Sequence, residues 1–204
     1  MHASGVAWYD GHTVRCKSKS IPIDQFLEDF QLRDMVYSGQ RIAMIGHTRY
    51  STSDLAFNQP LLGGRLALAH NGVISQADPS TWKATYGYDC KTRNDSELLL
   101  KALKAGDDPF EKFPGASIAA VTVDNQGNVR CLRNGLRPLW KGRIGQGAVY
   151  GSTLAILQRA GVTDIEKVAC NDNDSQRRDW TNHGIRTTQQ RIPILRLLPE
   201  QSGC

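Results

Sequence analysis

The chain has 204 residues, 40% of them hydrophobic, 22% charged and 7% aromatic. That balance excludes a disordered tail or a low-complexity polymer and suits one globular domain with a sizeable core. The net charge of +5, from 25 Lys and Arg against 20 Asp and Glu, is spread along the chain with no run of four basic residues, a weak footprint for nucleic acid.

No stretch reaches the ~18 consecutive apolar residues of a membrane helix, so no membrane partner is expected. The start, Met1-His2-Ala3-Ser4-Gly5-Val6, lacks a basic and an apolar leader segment, and a cytoplasmic site is the default expectation. The five cysteines, Cys16, Cys90, Cys131, Cys170 and Cys204, are widely spaced without a Cys-x-x-Cys pair, and they read as reduced thiols. Nothing in the pattern calls for a metal or a cofactor: there is no His-x-x-x-His or His-Glu pair, and the Gly-rich 141–147 piece is neither a P-loop nor a dinucleotide fingerprint. A serine hydrolase is excluded by the absence of a Gly-x-Ser-x-Gly elbow.

In chain order, residues 4–9 and 13–19 read as two strands around Asp10-Gly11-His12. Arg15, Lys17 and Lys19 then share one solvated strand face. Ile23, Phe26, Leu27, Phe30 and Val36 recur at helical spacing and predict an amphipathic helix over 22–37, stopped at Ser38-Gly39. Residues 42–45 predict a buried strand that ends in the polar sequence from Gly46 to Ser53. Residues 66–69, His70-Asn71-Gly72 and Val73-Ile74 read as strand, turn, strand. Residues 75–92 form a long loop with one helical turn, and a helix capped by Asn94 or Asp95 spans 96–104 before Ala105-Gly106. Runs at 116–124, 128–133, 138–141 and 148–150 suggest an antiparallel meander, with 141–147 as a hairpin connection. A helix capped by Ser152 follows over 152–159, and an apolar strip at 191–198 is placed to dock on the body. The order predicts an α+β layered fold with mainly antiparallel sheets.

Three polar clusters stand out: residues 47–53, His70-Asn71-Gly72 and Arg93-Asn94-Asp95-Ser96-Glu97. Together they complement a small zwitterion. Arg49 offers a planar fork to a carboxylate, Asp95 an acceptor to an ammonium, and Asn71 and the Gly72 N–H donors to an oxyanion. Taken singly, each has an ordinary alternative: Asn-Gly as a turn, Asp95 as a helix cap, Arg49 as a surface ion pair, and His47 and His70 as hydrogen-bonded structural imidazoles.

Taken in order, Gly46-His47-Thr48-Arg49-Tyr50-Ser51-Thr52, Asn58-Gln59-Pro60, Leu68-Ala69-His70-Asn71-Gly72-Val73-Ile74 and Asn94-Asp95-Ser96-Glu97 resemble the glutaminase domain of class II glutamine amidotransferases. Arg133-Asn134-Gly135-Leu136-Arg137-Pro138-Leu139 and Gly151-Ser152-Thr153-Leu154-Ala155 resemble two further family segments, and the likeness covers about residues 3–157. The resemblance implies an N-terminal-nucleophile hydrolase fold, a four-layer αββα sandwich. It implies that Arg49 holds the substrate α-carboxylate, Asp95 its α-ammonium, Asn71 and Gly72 the oxyanion, and that Thr52 lines the pocket. Arg133 and Arg137 are then structural, with Asn134 standing where the family has Asp.

The implied reaction is hydrolysis of L-glutamine to glutamate through a γ-glutamyl thioester, with ammonia passed to an acceptor on a separate protein. The family's nucleophile is a cysteine at residue 1 of the mature chain; here residue 1 is Met, and none of the five cysteines stands at that position. The reading is therefore a domain over 1–170 without its first strand, followed by a tail over 171–204. A longer, active form is one alternative and an inactive glutamine-binding or subunit-interaction remnant the other. On this reading the strand over 4–9 has one open edge where the absent strand would lie.

Overall fold

The computed structural model of the chain describes residues 2–30, 43–50 and 58–170. Three antiparallel sheets organise them. The first consists of β1 (His2–Tyr9) between β2 (Val14–Lys19) and β3 (Met44–Tyr50). The second runs in the order β4 (Leu61–Gly63), β5 (Leu66–Val73), β6 (Ser117–Asp124) and β7 (Val129–Arg133). These two sheets pack face to face over Ala7, Val14, Ala43, Ile45, Ala67, Ala69 and Val123. Small side chains dominate this interface because the backbones come close: a Cβ on Gly5 would sit 2.3 Å from the Gln59 carbonyl oxygen.

A helix covers each outer face. On the first sheet, α1 (Ile23–Asp29) and Phe30 place two rings against Val6 and Trp8, the residues of β1 that point away from the sandwich. Past a short helix α2 (Trp82–Tyr86), α3 (Ser96–Ala105) lies on the second sheet, and α4 (Pro109–Lys112) packs against α3. Leu98, Leu99 and Ala102 of α3, all fully buried, pack there with Leu68, Ile118 and Leu132. Burial of each leucine stabilises by roughly 1.5–3 kcal/mol. Gly106, at φ 81°, ends α3, and the Asp107 N–H returns to the Ala102 carbonyl. The result is the αββα sandwich. The third sheet, β8 (Trp140–Ile144) between β9 (Gly147–Gly151) and β10 (Thr163–Lys167), carries α5 (Leu154–Arg159) on one face.

Several expectations are corrected. The helix expected over 22–37 ends at Asp29, where Phe30 turns extended, and Val36 lies outside the described residues. Neither edge of β1 is open: Ser4 to Tyr9 pair with β2, and His2 to Trp8 pair with β3, from His2↔Tyr50 to Trp8↔Met44. The cause is that β3 does not stop at Ile45 but carries Gly46, His47, Thr48, Arg49 and Tyr50 in the ladder. His70-Asn71-Gly72 is not a turn either. An Asn-Gly pair reverses the chain when its flanks pair with each other, but here both flanks pair with β6 in one register, Leu66↔Asp124 through Val73↔Ser117.

The supposed meander is split between sheets two and three. Arg133, 5% exposed, donates to the carbonyls of Gly135, Arg137 and Val168 and so folds the connection out of the second sheet. The cap of α5 is Thr153, whose Oγ1 accepts from the Ile156 N–H, rather than Ser152. Strands β4 and β10 and helix α4 went unpredicted because each is short and without clear periodicity. A hairpin joins β8 and β9 as expected, but its turn is only Gly145-Gln146, and Lys141 to Ile144, read as part of the connection, belong to β8. The strip over 191–198 and the tail over 171–204 lie outside the described residues.

Candidate functional site

The polar centre of β5 is tied in on every side. In the register that sets Leu61 opposite Leu68, the residue opposite His70 is Gln59, whose own carbonyl is turned toward Gly5 of the first sheet and out of the ladder. The Gln59 side chain replaces the missing ladder: Oε1 accepts from the His70 N–H at 2.6 Å, and Nε2 donates to the His70 carbonyl at 3.1 Å. The His70 ring lies on the α3 side, with Nδ1 2.9 Å from Ser96 Oγ and Nε2 3.0 Å from the Ser117 carbonyl oxygen. A carbonyl only accepts, so Nε2 carries the proton and Nδ1 accepts from the serine. Burial, first of all, pushes the His70 pKa down and keeps the ring neutral; Arg137 adds to this, while the Ser117 carbonyl and Asp95 oppose it.

Two residues on, the Gly72 N–H points to the same sheet edge as that of His70, because alternate residues of a strand share a hydrogen-bonding direction. At this point the pairing with β4 has ended. The next N–H on that edge, from Ile74, donates to Asp95 Oδ2 at 2.6 Å, and the Ser75 N–H donates to the same oxygen at 3.2 Å. Asp95 therefore does not cap its own helix; Asn94 Oδ1 serves there, accepting from the Ser96 N–H. The Asp95 carboxylate is turned onto the chain just past Gly72, and Oδ1 takes no part in either bond. Asn71 lies on the opposite face of β5, the face of Ala67 and Ala69 that looks toward the first sheet, and is exposed.

Strand β3 approaches from that sheet. Ile45 belongs to the core between the sheets, so His47 and Arg49 share its inward face. β3 packs against β5 across the core between the two sheets. Burial, with the Arg49 guanidinium adding to it, holds the His47 pKa down at about 4. Arg49 sits two residues further along the same face. The structure thus brings Gly72 and Asp95 together on one edge of β5 and sets Arg49 and Asn71 on the facing sides of the two sheets; Thr52 lies outside the described residues.

Sequence reasoning missed Gln59, Ser96 and Ser117 as working residues. Gln59 and Ser96 fall inside motifs noted above, and a polar side chain buried beside a proline is a signal that could have marked Gln59. Ser117 has none in the sequence. Glu97 was also passed over: its carboxylate accepts from the Lys91 and Thr92 N–H groups and pins the loop before α3. Asn134 keeps a bridge across the start of β6, accepting from the Ile118 N–H and donating to the Ala116 carbonyl. An ionised Asp could not make the second bond.

The described cysteines are free thiols. Burial raises the pKa of Cys16 and Cys90 to about 11 and of Cys131 to about 12, so these three stay protonated at neutral pH. Among the described residues no group of three His, Cys, Asp or Glu side chains could hold a metal, and no helix is long and apolar enough to cross a membrane.

Comparison with known proteins agrees with this architecture. Residues 47–159 match the glutamine amidotransferase domain family. The amidophosphoribosyltransferase of Synechocystis sp. is 29% identical over 131 residues, 59% of this chain and 26% of that protein. The Bacillus subtilis amidophosphoribosyltransferase is 25% identical over 183 residues, 81% of this chain and 38% of that protein. The chain thus spans between a quarter and two fifths of these relatives. In structure it resembles the B. subtilis glutamine phosphoribosylpyrophosphate amidotransferase complexed with ADP and GMP, with a TM-score of 0.62 at 23% identity over 82% of this chain and 39% of that one. A structure described as the allosteric regulatory enzyme of purine biosynthesis gives the same TM-score at 24% identity over 83% of this chain and 39% of the other. With more than half its length matched to the family and the αββα fold shared with these neighbours, the chain belongs to the class II, N-terminal-nucleophile glutamine amidotransferase domains.

Proposed function

We propose that the domain binds L-glutamine in the mouth between the first two sheets and presents its side-chain amide for hydrolysis. In this reading the Arg49 guanidinium takes the α-carboxylate, Asp95 Oδ1 takes the α-ammonium, and the Gly72 N–H with the Asn71 amide takes the side-chain carbonyl oxygen, with Thr52 lining the pocket. The observation that carries it is Asp95: its carboxylate is pinned by the Ile74 and Ser75 N–H groups beside Gly72 instead of serving its own helix. A charge fixed one residue pair from an open N–H matches the two ends of an amino acid with a terminal amide.

In a form that supplies the nucleophile, the chemistry is attack of a cysteine thiol on the amide carbon with its proton carried to the departing nitrogen, so that ammonia leaves, and then hydrolysis of the γ-glutamyl thioester by water, which yields glutamate and restores the thiol. The negative oxygen formed in attack is where the Gly72 and Asn71 donors act. Ammonia then goes to an acceptor site on another protein or domain, since the relatives named for phosphoribosyl transfer are far longer than this chain. One observation favours a second reading, glutamine binding without turnover: burial keeps the Cys16, Cys90 and Cys131 thiols protonated. The paired edges of β1 also remove the expected vacancy beside that strand.

Calorimetry with the 204-residue chain tests the binding reading. Wild type binds L-glutamine, while Asp95→Asn and Arg49→Gln, each removing a charge-assisted contact worth ~1.5–3 kcal/mol, weaken it by at least ~10-fold. Equal affinity in all three sinks the assignment. An ammonia assay on the same samples separates turnover from binding alone.

A further inference from the structure

We propose that His70 is a positioning residue for this site: its Nε2–H bond to the Ser117 carbonyl closes over the α-carbon of Gly72 and holds the Gly72 N–H on the substrate's carbonyl oxygen. The proposal rests on the glutamine reading above. Its geometric basis is the space at residue 72. A Cβ there would lie 1.8 Å from the Ser117 carbonyl oxygen and 2.7 Å from His70 Nε2, so the glycine is enclosed by this hydrogen bond, and any side chain would break it.

The ring is itself fixed by a closed chain of donors and acceptors. Ser96 Oγ donates to Nδ1 and accepts from Gln59 Nε2 at 3.2 Å, and Gln59 grips the His70 main chain on both sides. His70, Gln59 and Ser96 are 3%, 6% and 2% exposed, so water does not compete for these bonds. Ser96 adjoins Asp95 at the start of α3. One helix start thus carries both the partner of the His70 ring and the carboxylate assigned to the ammonium, and the separation between ammonium acceptor and carbonyl donor is set by the Asp95–Ser96 peptide and the His70 ring. Gln59 has a second consequence: by ending the ladder at His70, it leaves the following N–H on that edge, that of Gly72, to a ligand.

The test compares two ligands and two readouts. L-Norvaline shares the amino and carboxyl groups of glutamine but lacks the side-chain amide. His70→Leu is expected to weaken L-glutamine by roughly 5- to 10-fold, the worth of one hydrogen bond, and to leave L-norvaline within about 2-fold. His70→Gln, which keeps an N–H directed at Ser117, recovers at least half of the loss. Independently of any ligand, amide hydrogen exchange at Gly72 speeds by about 10-fold or more in His70→Leu while the amides of β1 do not change. Equal weakening of both ligands, or unchanged exchange at Gly72, overturns the proposal. If wild type binds neither ligand, the glutamine reading fails, and the exchange measurement still decides whether His70 holds Gly72. Should His70→Leu not fold, Ser96→Ala, which removes the donor to Nδ1, carries the same comparison with the same deciding outcomes.

Discussion

Strands β3 and β5 each carry a polar motif through a sheet, His47, Thr48 and Arg49 in one and His70, Asn71 and Gly72 in the other, and they are held differently. β5 lies inside its sheet: β6 pairs its full length on one side, β4 and then the Gln59 side chain pair it on the other, and Ser96 and Ser117 fix its histidine. Among the described residues β3 pairs with β1 on one side, and its inward face packs against β5. The comparison teaches that the two halves of one site can have different structural costs. Groups that must stay still while charge develops on a carbonyl oxygen belong on the interlocked strand, whereas a guanidinium that captures a carboxylate reaches out from a strand tied on one side.

The sharpest way to break this comparison is Gly72→Ala. The clash with the Ser117 carbonyl is with backbone, which cannot swing away, so a loss of about 3 kcal/mol or more is expected in urea unfolding. A loss under about 1 kcal/mol would show β5 to be far looser than described. Acid comes next, because each strand holds one neutral histidine, buried in β5 and half-buried in β3. His47 titrates near 6.5 when unfolded and at about 4 when folded, so the unfolded chain takes up the proton first as pH falls. Its contribution is complete above about pH 6.5 and is lost toward pH 4, on the order of 1–3 kcal/mol. The lowered pKa of His70 acts in the same direction. Urea midpoints measured between pH 7.5 and 4.5 should fall, and His47→Gln should flatten part of the slope while leaving the share of His70.

Asn134→Asp probes the far side of β6. It removes the donor to the Ala116 carbonyl and sets a carboxylate against that oxygen, which should cost about 1–2 kcal/mol at pH 7. An unchanged midpoint would mean that the Asn134 bridge contributes nothing to β6. The smallest stability change is expected for Arg49→Gln, within about 1 kcal/mol, although the same substitution should weaken glutamine binding by at least ~10-fold. If it unfolds the protein instead, β3 is as structurally committed as β5 and the contrast between the two strands fails.

Much of the molecule was legible from local signals. The α3 helix shows in its polar cap and terminal glycine, and the β1–β2 hairpin in its Gly-containing connection Asp10-Gly11-His12. The motif order was sufficient to point to the family. The errors share a cause. Asn71-Gly72 has the local chemistry of a turn but was overruled by partners remote in sequence, Ser117 and the rest of β6; of the two residues offered as the α3 cap, Asn94 serves, because Asp95 is drawn to the Ile74 and Ser75 N–H groups. The polar residues after Ile45 look like the end of a strand until β1 is seen pairing with all of them.

The sequence by itself determined which residue types are present and which short segments can form helix or strand, because propensity, capping and periodicity act over a few neighbours. Packing alone set the Gln59 side chain in place of main-chain ladder bonds, closed His70 over Gly72 and turned Asp95 from its helix toward β5. Those outcomes depend on hydrogen bonds between groups 11 to 47 residues apart along the chain. Buried donors and acceptors must find partners wherever packing brings them, and no local rule carries that information.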